Sequence, residues 1–130
     1  MLVDTGPLYA MLDPRDERFE QAREDVHRLN SERLSLALSF PVLCESYSLV
    51  LYRLGTRRAR AWLGEVRGQA SLVNPSPGDY EAAADLISGY PDQGLSLFDA
   101  VTAALSEKLG LPVWTYDHRF DVMQINVWRG

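Results

Sequence analysis

Short apolar segments alternate with longer helical segments along this chain of 130 residues, and this alternation limits its possible folds more than any other feature. Five segments are expected to be strands: residues 1–4, 34–38, 70–73, 112–116 and 124–127. The segments between them have helical periodicity or helix-capping residues: 8–12, 16–33, 40–54, 56–68, 79–88 and 98–109. Strands that alternate with helices predict an α/β fold, a three-layer α/β/α sandwich with a mostly parallel sheet.

The chain has the size and composition of one soluble domain that spans residues 1–130. With 46% hydrophobic residues, the chain can build a hydrophobic core without disulfide bonds or a structural zinc ion. Its single cysteine cannot form an internal disulfide, and its two histidines do not provide a zinc-finger spacing. Charges or prolines interrupt its apolar stretches before they reach the length of a membrane span, and the first residues lack the pattern of a signal peptide. We therefore expect a cytoplasmic protein with no membrane partner.

The net charge restricts how the chain could bind nucleic acid. Eighteen acids against thirteen bases give a formal charge of −5, which argues against binding by overall electrostatic attraction. A local basic track remains possible, because five arginines lie between residues 53 and 67. Among them, Arg57, Arg58 and Arg60 are candidates for phosphate contacts, with a solvated helix face as the alternative interpretation.

Four acids stand apart from the other charges. Asp4 is the only charge in residues 1–12, Glu45 the only one in 34–52, and Asp99 the only one in 93–106. Asp117 ends the uncharged strand LPVWTY. Each has a structural interpretation: Asp4, Asp99 and Asp117 could cap helices or turns, and Glu45 could pair with an arginine such as Arg53.

Taken together, the four acids point to a cation site. Asp4 and Asp117 follow predicted strands, and the carboxyl ends of parallel strands form the crevice where open α/β sheets bind ligands. Their own segments supply no cation to pair with them, so a divalent ion is the expected partner. Oxygen ligands without a His or Cys set favour Mg²⁺ or Mn²⁺ over zinc. Without metal the acids should repel one another, and at least one should have a raised pKa.

Several segments of the chain resemble PIN-domain ribonucleases, in particular VapC-like toxins of bacterial toxin–antitoxin pairs. The resemblance rests on the segments LVDTGPLYA, FPVLCESYSLV, PSPGDYEAAADLI and, most specifically, LSLFDAVTAALSEKLGLPVWTYD followed by HRFD. It implies that Asp4, Glu45, Asp99 and Asp117 are the catalytic, metal-binding acids. It also implies site-lining hydroxyls at Thr5 and Thr115 and a peripheral acid at Asp121 that is not expected to be a ligand.

The activity implied by the resemblance is Mg²⁺- or Mn²⁺-dependent hydrolysis of RNA. One or two ions held by the four acids would polarise the scissile phosphate and activate a water, leaving 5′-phosphate and 3′-hydroxyl products. The implied partners are RNA, a cognate antitoxin and a second copy of the chain. The apolar segment 40–54 also favours a homodimer, because Leu49 and Tyr52 lie outside its core stripe. The chain departs from the family in its short first strand and in Gly6, where a small polar residue is more usual.

Other functions fit parts of the sequence. Asp-Thr-Gly at residues 4–6 matches the motif of retroviral-type aspartic proteases, but that fold is nearly all β and has a long strand region before the motif. A haloacid-dehalogenase phosphatase would need an acid at Gly6, and a Cys44 nucleophile would need a paired histidine. The alternative from another class is a non-catalytic PIN-like binding module that acts through protein partners.

Overall fold

The computed structural model describes residues 1–129 and contains a four-stranded parallel sheet between layers of helices. The strands are β1 (Leu2–Val3), β2 (Ala37–Ser39), β3 (Ser71–Val73) and β4 (Val113–Trp114). The helices are α1 (Thr5–Ala10), α2 (Phe19–Ser31), α3 (Phe40–Leu54), α4 (Thr56–Gln69), α5 (Pro77–Gly89), α6 (Leu97–Leu109) and α7 (Arg119–Val122). The strand order is β3-β2-β1-β4, so the expected parallel α/β architecture is confirmed.

Each strand separates two apolar clusters because successive side chains point to opposite faces of the sheet. Leu2 and Val113 pack in a cluster with residues of α5 and α6, whereas Val3 and Trp114 pack in a second cluster with residues of α2, α3 and α4. Trp114 is fully buried in this second cluster. Each cluster joins the sheet to the helices on one of its faces, so helices, sheet and helices form the three layers predicted from the sequence.

The expected fifth strand, residues 124–127, is wrong. Only Val127 forms a parallel bridge, to Val113. The chain enters the short helix α7 after Asp117 and then turns at Gln124, which has a φ of 58°. Its backbone pairs with the sheet only at Val113, whose amide donates to the Asn126 carbonyl at 2.9 Å and whose carbonyl accepts from the Trp128 amide at 2.8 Å. The predicted strand at 34–38 is also shifted, because β2 begins at Ala37.

The helix ends lie close to those of the segments predicted from the sequence. Ser39 begins α3, and its hydroxyl accepts a hydrogen bond from the Val42 amide at 3.2 Å. Gly110 ends α6 in the left-handed conformation that glycine tolerates, with a φ of 65°. Gly68 does not close α4 as expected, since that helix continues to Gln69.

None of the helices in the described part of the chain combines the length and apolarity needed to cross a membrane.

Candidate active site

The four predicted acids line one open depression at the carboxyl end of the sheet. Its volume is about 440 Å³, and it is lined by Asp4, Thr5, Gly6, Glu45, Gly94, Ser96, Asp99, Tyr116, Asp117 and Arg119. Asp4 directly follows β1, and Asp117 lies three residues beyond β4. The neighbouring parallel strands β1 and β4 therefore bring together acids from distant parts of the sequence. We call this depression the acid pocket.

Asp4 is buried at the base of the acid pocket and also begins α1. Its Oδ1 accepts a hydrogen bond from the Thr5 amide at 2.9 Å, and its Oδ2 accepts one from the Thr115 hydroxyl at 2.8 Å. Burial, followed by the negative charge of Asp99 and then, more weakly, that of Glu45, raises the pKa of Asp4 to about 7 despite these hydrogen bonds. The expectation of one raised carboxyl pKa is confirmed, and the capping interpretation is correct as well.

Glu45 projects from α3, where the Thr5 hydroxyl donates a hydrogen bond to its Oε1. The alternative in which Glu45 pairs with Arg53 is wrong. The Arg53 guanidinium instead lies 5.1 Å from the centroid of the Tyr9 ring. Within residues 1–129, no lysine or arginine forms an ion pair with Glu45.

Asp99 is positioned by the first turn of α6. The Ser96 hydroxyl accepts a hydrogen bond from the Asp99 amide at 3.1 Å, and Asp99 Oδ2 accepts one from the Ser96 amide at 3.4 Å. This capping box satisfies two free amides at the helix start and holds the carboxylate at the pocket wall. Like Asp4, Asp99 therefore contributes to a helix start and to the acid pocket at once.

The expectation that the four acids have no matching cation is wrong for Asp117, which forms an ion pair with Arg119. Arg119 Nη2 lies 2.6 Å from Asp117 Oδ2, and Arg119 Nε donates to both carboxylate oxygens at 3.0 Å. The Arg119 amide also donates to Asp117 Oδ1 at 2.9 Å. Burial alone would raise the pKa of Asp117, but the hydrogen bonds from Arg119 hold it below the usual value.

The donor set suits a hard divalent cation, although the carboxylates are not arranged around one in this conformation. Among residues 1–129, no three side chains of His, Cys, Asp or Glu converge closely enough to hold an ion. Asp117 faces Arg119 instead. The raised pKa of Asp4 comes first from burial and then from the negative charges of Asp99 and Glu45, and a cation would relieve this second contribution. Carboxylate oxygens are also the ligands that Mg²⁺ and Mn²⁺ prefer.

The other residues singled out in the sequence are distributed unevenly around this pocket. Thr5 lines it, and Thr115 reaches it through the hydrogen bond to Asp4. Asp121 lies outside it, exposed and paired with Arg129 at 2.6 Å, as expected for a peripheral acid. Arg57, Arg58 and Arg60 are exposed on α4, and none of them lines the pocket. Cys44 is also exposed.

The residue that the sequence did not identify is Arg119. A single arginine beside an acid is common on protein surfaces, so its position in the sequence alone does not assign it to a site. The available signal was its position two residues after an acid at a strand end. The sequence did not identify Gly94 either. Its carbonyl accepts a hydrogen bond from Arg119.

Comparison with known proteins places the chain in a family. The model of the PIN domain matches residues 1–126. The chain belongs to the PIN domain family. This PIN domain is 29% identical, over 109 residues, to ribonuclease VapC26 of Mycobacterium tuberculosis, covering 83% of this chain and 78% of that protein.

Solved structures share the fold of this PIN domain. The crystal structure of Mycobacterium tuberculosis VapC20, a toxin that cleaves the sarcin–ricin loop, superposes with a TM-score of 0.85 at 23% identity, covering 99% of this chain and 98% of that one. A toxin–antitoxin complex from Klebsiella pneumoniae has a TM-score of 0.65 at 21% identity, with coverages of 91% and 87%. At these identities the comparison establishes the fold.

Proposed function

We propose that this PIN domain is a Mg²⁺- or Mn²⁺-dependent endoribonuclease and the toxin of a toxin–antitoxin pair. The observation that carries the proposal is the convergence of Asp4, Glu45, Asp99 and Asp117 on one open pocket. The similarity to ribonuclease VapC26 supports the choice of RNA as substrate. The fold shared with VapC20 agrees with this choice.

The residues of the acid pocket have different roles in the proposed phosphodiester hydrolysis. The four carboxylates would hold the divalent ion, which would polarise the scissile phosphate and lower the pKa of a water. Thr5 and Thr115 orient Glu45 and Asp4 through hydrogen bonds to their carboxylate oxygens. The capping box of Ser96 fixes Asp99 at the pocket wall. No side-chain nucleophile is required for this chemistry.

The proposed partners are an antitoxin protein and a second copy of the chain. The fold shared with a toxin–antitoxin complex supports the antitoxin. The homodimer is supported by apolar side chains left exposed on α3 and α6. Tyr52 is 91% exposed and Phe98 37% exposed, and both line a shallow depression beside Glu45. We place the protein in the cytoplasm, where an RNA-cleaving toxin meets its substrate.

The test is cleavage of a panel of folded RNAs by the purified chain. We expect cleavage with Mg²⁺ or Mn²⁺, none in excess EDTA, and products with 5′-phosphate and 3′-hydroxyl ends. Asp99→Asn should reduce the rate by orders of magnitude and remove most of the thermal stabilisation by Mg²⁺. The matched control is Asp85→Asn, which removes the same charge from an exposed position on α5.

Two results would contradict the proposal. Undiminished cleavage in EDTA would exclude a metal-dependent reaction, and equal activity of the Asp99→Asn and Asp85→Asn variants would exclude the acid pocket as the active site. A chain that cleaves no RNA but binds an antitoxin would instead be the non-catalytic binding module considered from the sequence.

A further inference from the structure

Arg119 lies inside the acid pocket and contacts more than one of its walls. Its guanidinium forms the hydrogen bonds to Asp117 described above, and its Nη2 is also 3.8 Å from Asp99 Oδ2. Its Nη1 donates to the carbonyl of Gly94, in the loop before α6. The side chain is 31% exposed. The guanidinium is therefore held in a fixed position by two acids and a backbone carbonyl.

The charge of Arg119 balances the acid pocket. Its pKa is raised chiefly by the hydrogen bonds to Asp117 and, more weakly, by the charges of Asp117, Asp99 and Asp4. In the described part of the chain, it is the only lysine or arginine that forms an ion pair with any of the four acids. A bidentate arginine–carboxylate pair occupies both oxygens of the acid with well-directed donors. Asp117 is therefore already engaged before any metal arrives.

We propose that Arg119 is an internal counter-ion that occupies the acid pocket in the metal-free chain and competes with the divalent ion for Asp117. The inference rests on the proposed metal-dependent function. Arg119 already uses both Asp117 oxygens, so a metal ion that binds through the same lone pairs must displace the guanidinium from Asp117. Arg119 thus lowers the affinity for the divalent ion and reduces the repulsion among the acids in its absence.

The position of Arg119 fits the arrangement of the acids in the metal-free chain. The four acids line one pocket, yet no three of the Asp, Glu, His and Cys side chains in residues 1–129 converge at metal-ligand distance. A purely structural arginine could have formed its pair with an acid outside the pocket, as Arg129 does with Asp121. Arg119 instead pairs with the acid that the metal would need.

The experiment compares Mn²⁺ binding to the metal-free full-length chain and to Arg119→Gln by isothermal titration calorimetry. We expect Arg119→Gln to bind Mn²⁺ roughly tenfold more tightly or better, since charge-assisted hydrogen bonds no longer have to be broken first. Arg119→Lys keeps the charge without the planar fork, and we expect an intermediate affinity. If the Gln variant fails to fold, the Lys variant alone carries the test.

The matched control is Arg129→Gln, which makes the same change in net charge beside an acid outside the pocket. Its Mn²⁺ affinity should equal that of the unaltered chain. A second readout is the melting temperature. Arg119→Gln should melt below the unaltered chain in EDTA at pH 8, and saturating Mn²⁺ should remove most of this difference.

The outcomes distinguish a failure of the competition alone from a failure of the metal site. If the unaltered chain binds Mn²⁺ and Asp99→Asn does not, but Arg119→Gln and Arg119→Lys bind it with unchanged or weaker affinity, the competition is refuted and the metal site stands. If Arg129→Gln tightens binding as much as Arg119→Gln, the effect is one of net charge, and the competition is again refuted. If none of these proteins binds Mn²⁺ at millimolar concentration, both proposals fail.

Discussion

Asp4→Asn tests the electrostatics of the acid pocket through the free energy of unfolding. The perturbed group is a buried carboxyl whose pKa rises from 3.8 to about 7 on folding. Burial is the largest cause, followed by the charge of Asp99 and, more weakly, that of Glu45. The substitution keeps the shape of the side chain and removes its charge.

The direction in which stability changes with pH follows from proton binding to Asp4. Between pH 4 and 7 the folded chain holds a proton on Asp4 that the unfolded chain has released, so the free energy of unfolding falls as the pH rises. A difference of about three pKa units, at about 1.4 kcal/mol each, gives a total loss of about 4 kcal/mol above pH 7. The asparagine has no such loss, but its amide cannot accept both hydrogen bonds now made by Asp4, which costs about 1 kcal/mol.

We therefore expect metal-free Asp4→Asn to be about 1 kcal/mol less stable than the unaltered chain near pH 4 and about 3 kcal/mol more stable at pH 8. The assay is urea unfolding in EDTA at several pH values, followed by tryptophan fluorescence, with Trp114 buried in the core. Asp85→Asn serves as the control for removal of an exposed charge. A stability difference between Asp4→Asn and the unaltered chain that stays constant from pH 4 to pH 8 would refute the reasoning.

Three further substitutions test other parts of the structure. Asp25→Ala should lower the free energy of unfolding by roughly 2–4 kcal/mol, since Trp114 Nε1 and the Tyr116 hydroxyl both lose their acceptor; a loss below 1 kcal/mol in urea unfolding would contradict this. Ser96→Ala should cost about 1 kcal/mol by the same assay and also slow RNA cleavage, whereas an unchanged rate would mean that the capping box does not position the pocket. Tyr52→Glu should convert the proposed homodimer to a monomer in light scattering, and an unchanged mass would place the interface elsewhere.

Much of the fold could be predicted because its signals are local. Serine hydroxyls that cap helices, the glycine that ends α6, and the periodicity of apolar residues act within a few residues of chain, so pattern and structure agree. The prediction failed at residues 124–127, where the pattern of apolar residues suits a strand but only Val127 forms a bridge to the sheet. A strand needs a neighbour in register along its length, and a local pattern contains no information on this.

Part of the candidate site could likewise be predicted from the sequence, and part depended on the tertiary structure. The sequence alone determined which acids meet, because an isolated carboxylate in an apolar segment is expensive to bury, and strand ends in a parallel sheet share one edge. Only the tertiary structure decided which basic side chain pairs with these acids. The thirteen basic residues include many possible partners for these acids, and Arg119 is the one whose side chain reaches both Asp117 and Asp99. The raised pKa of Asp4 likewise depends on burial and on distances between acids far apart in the chain. Electrostatic energies depend on separation in space and on solvent exclusion, and the packed fold sets both.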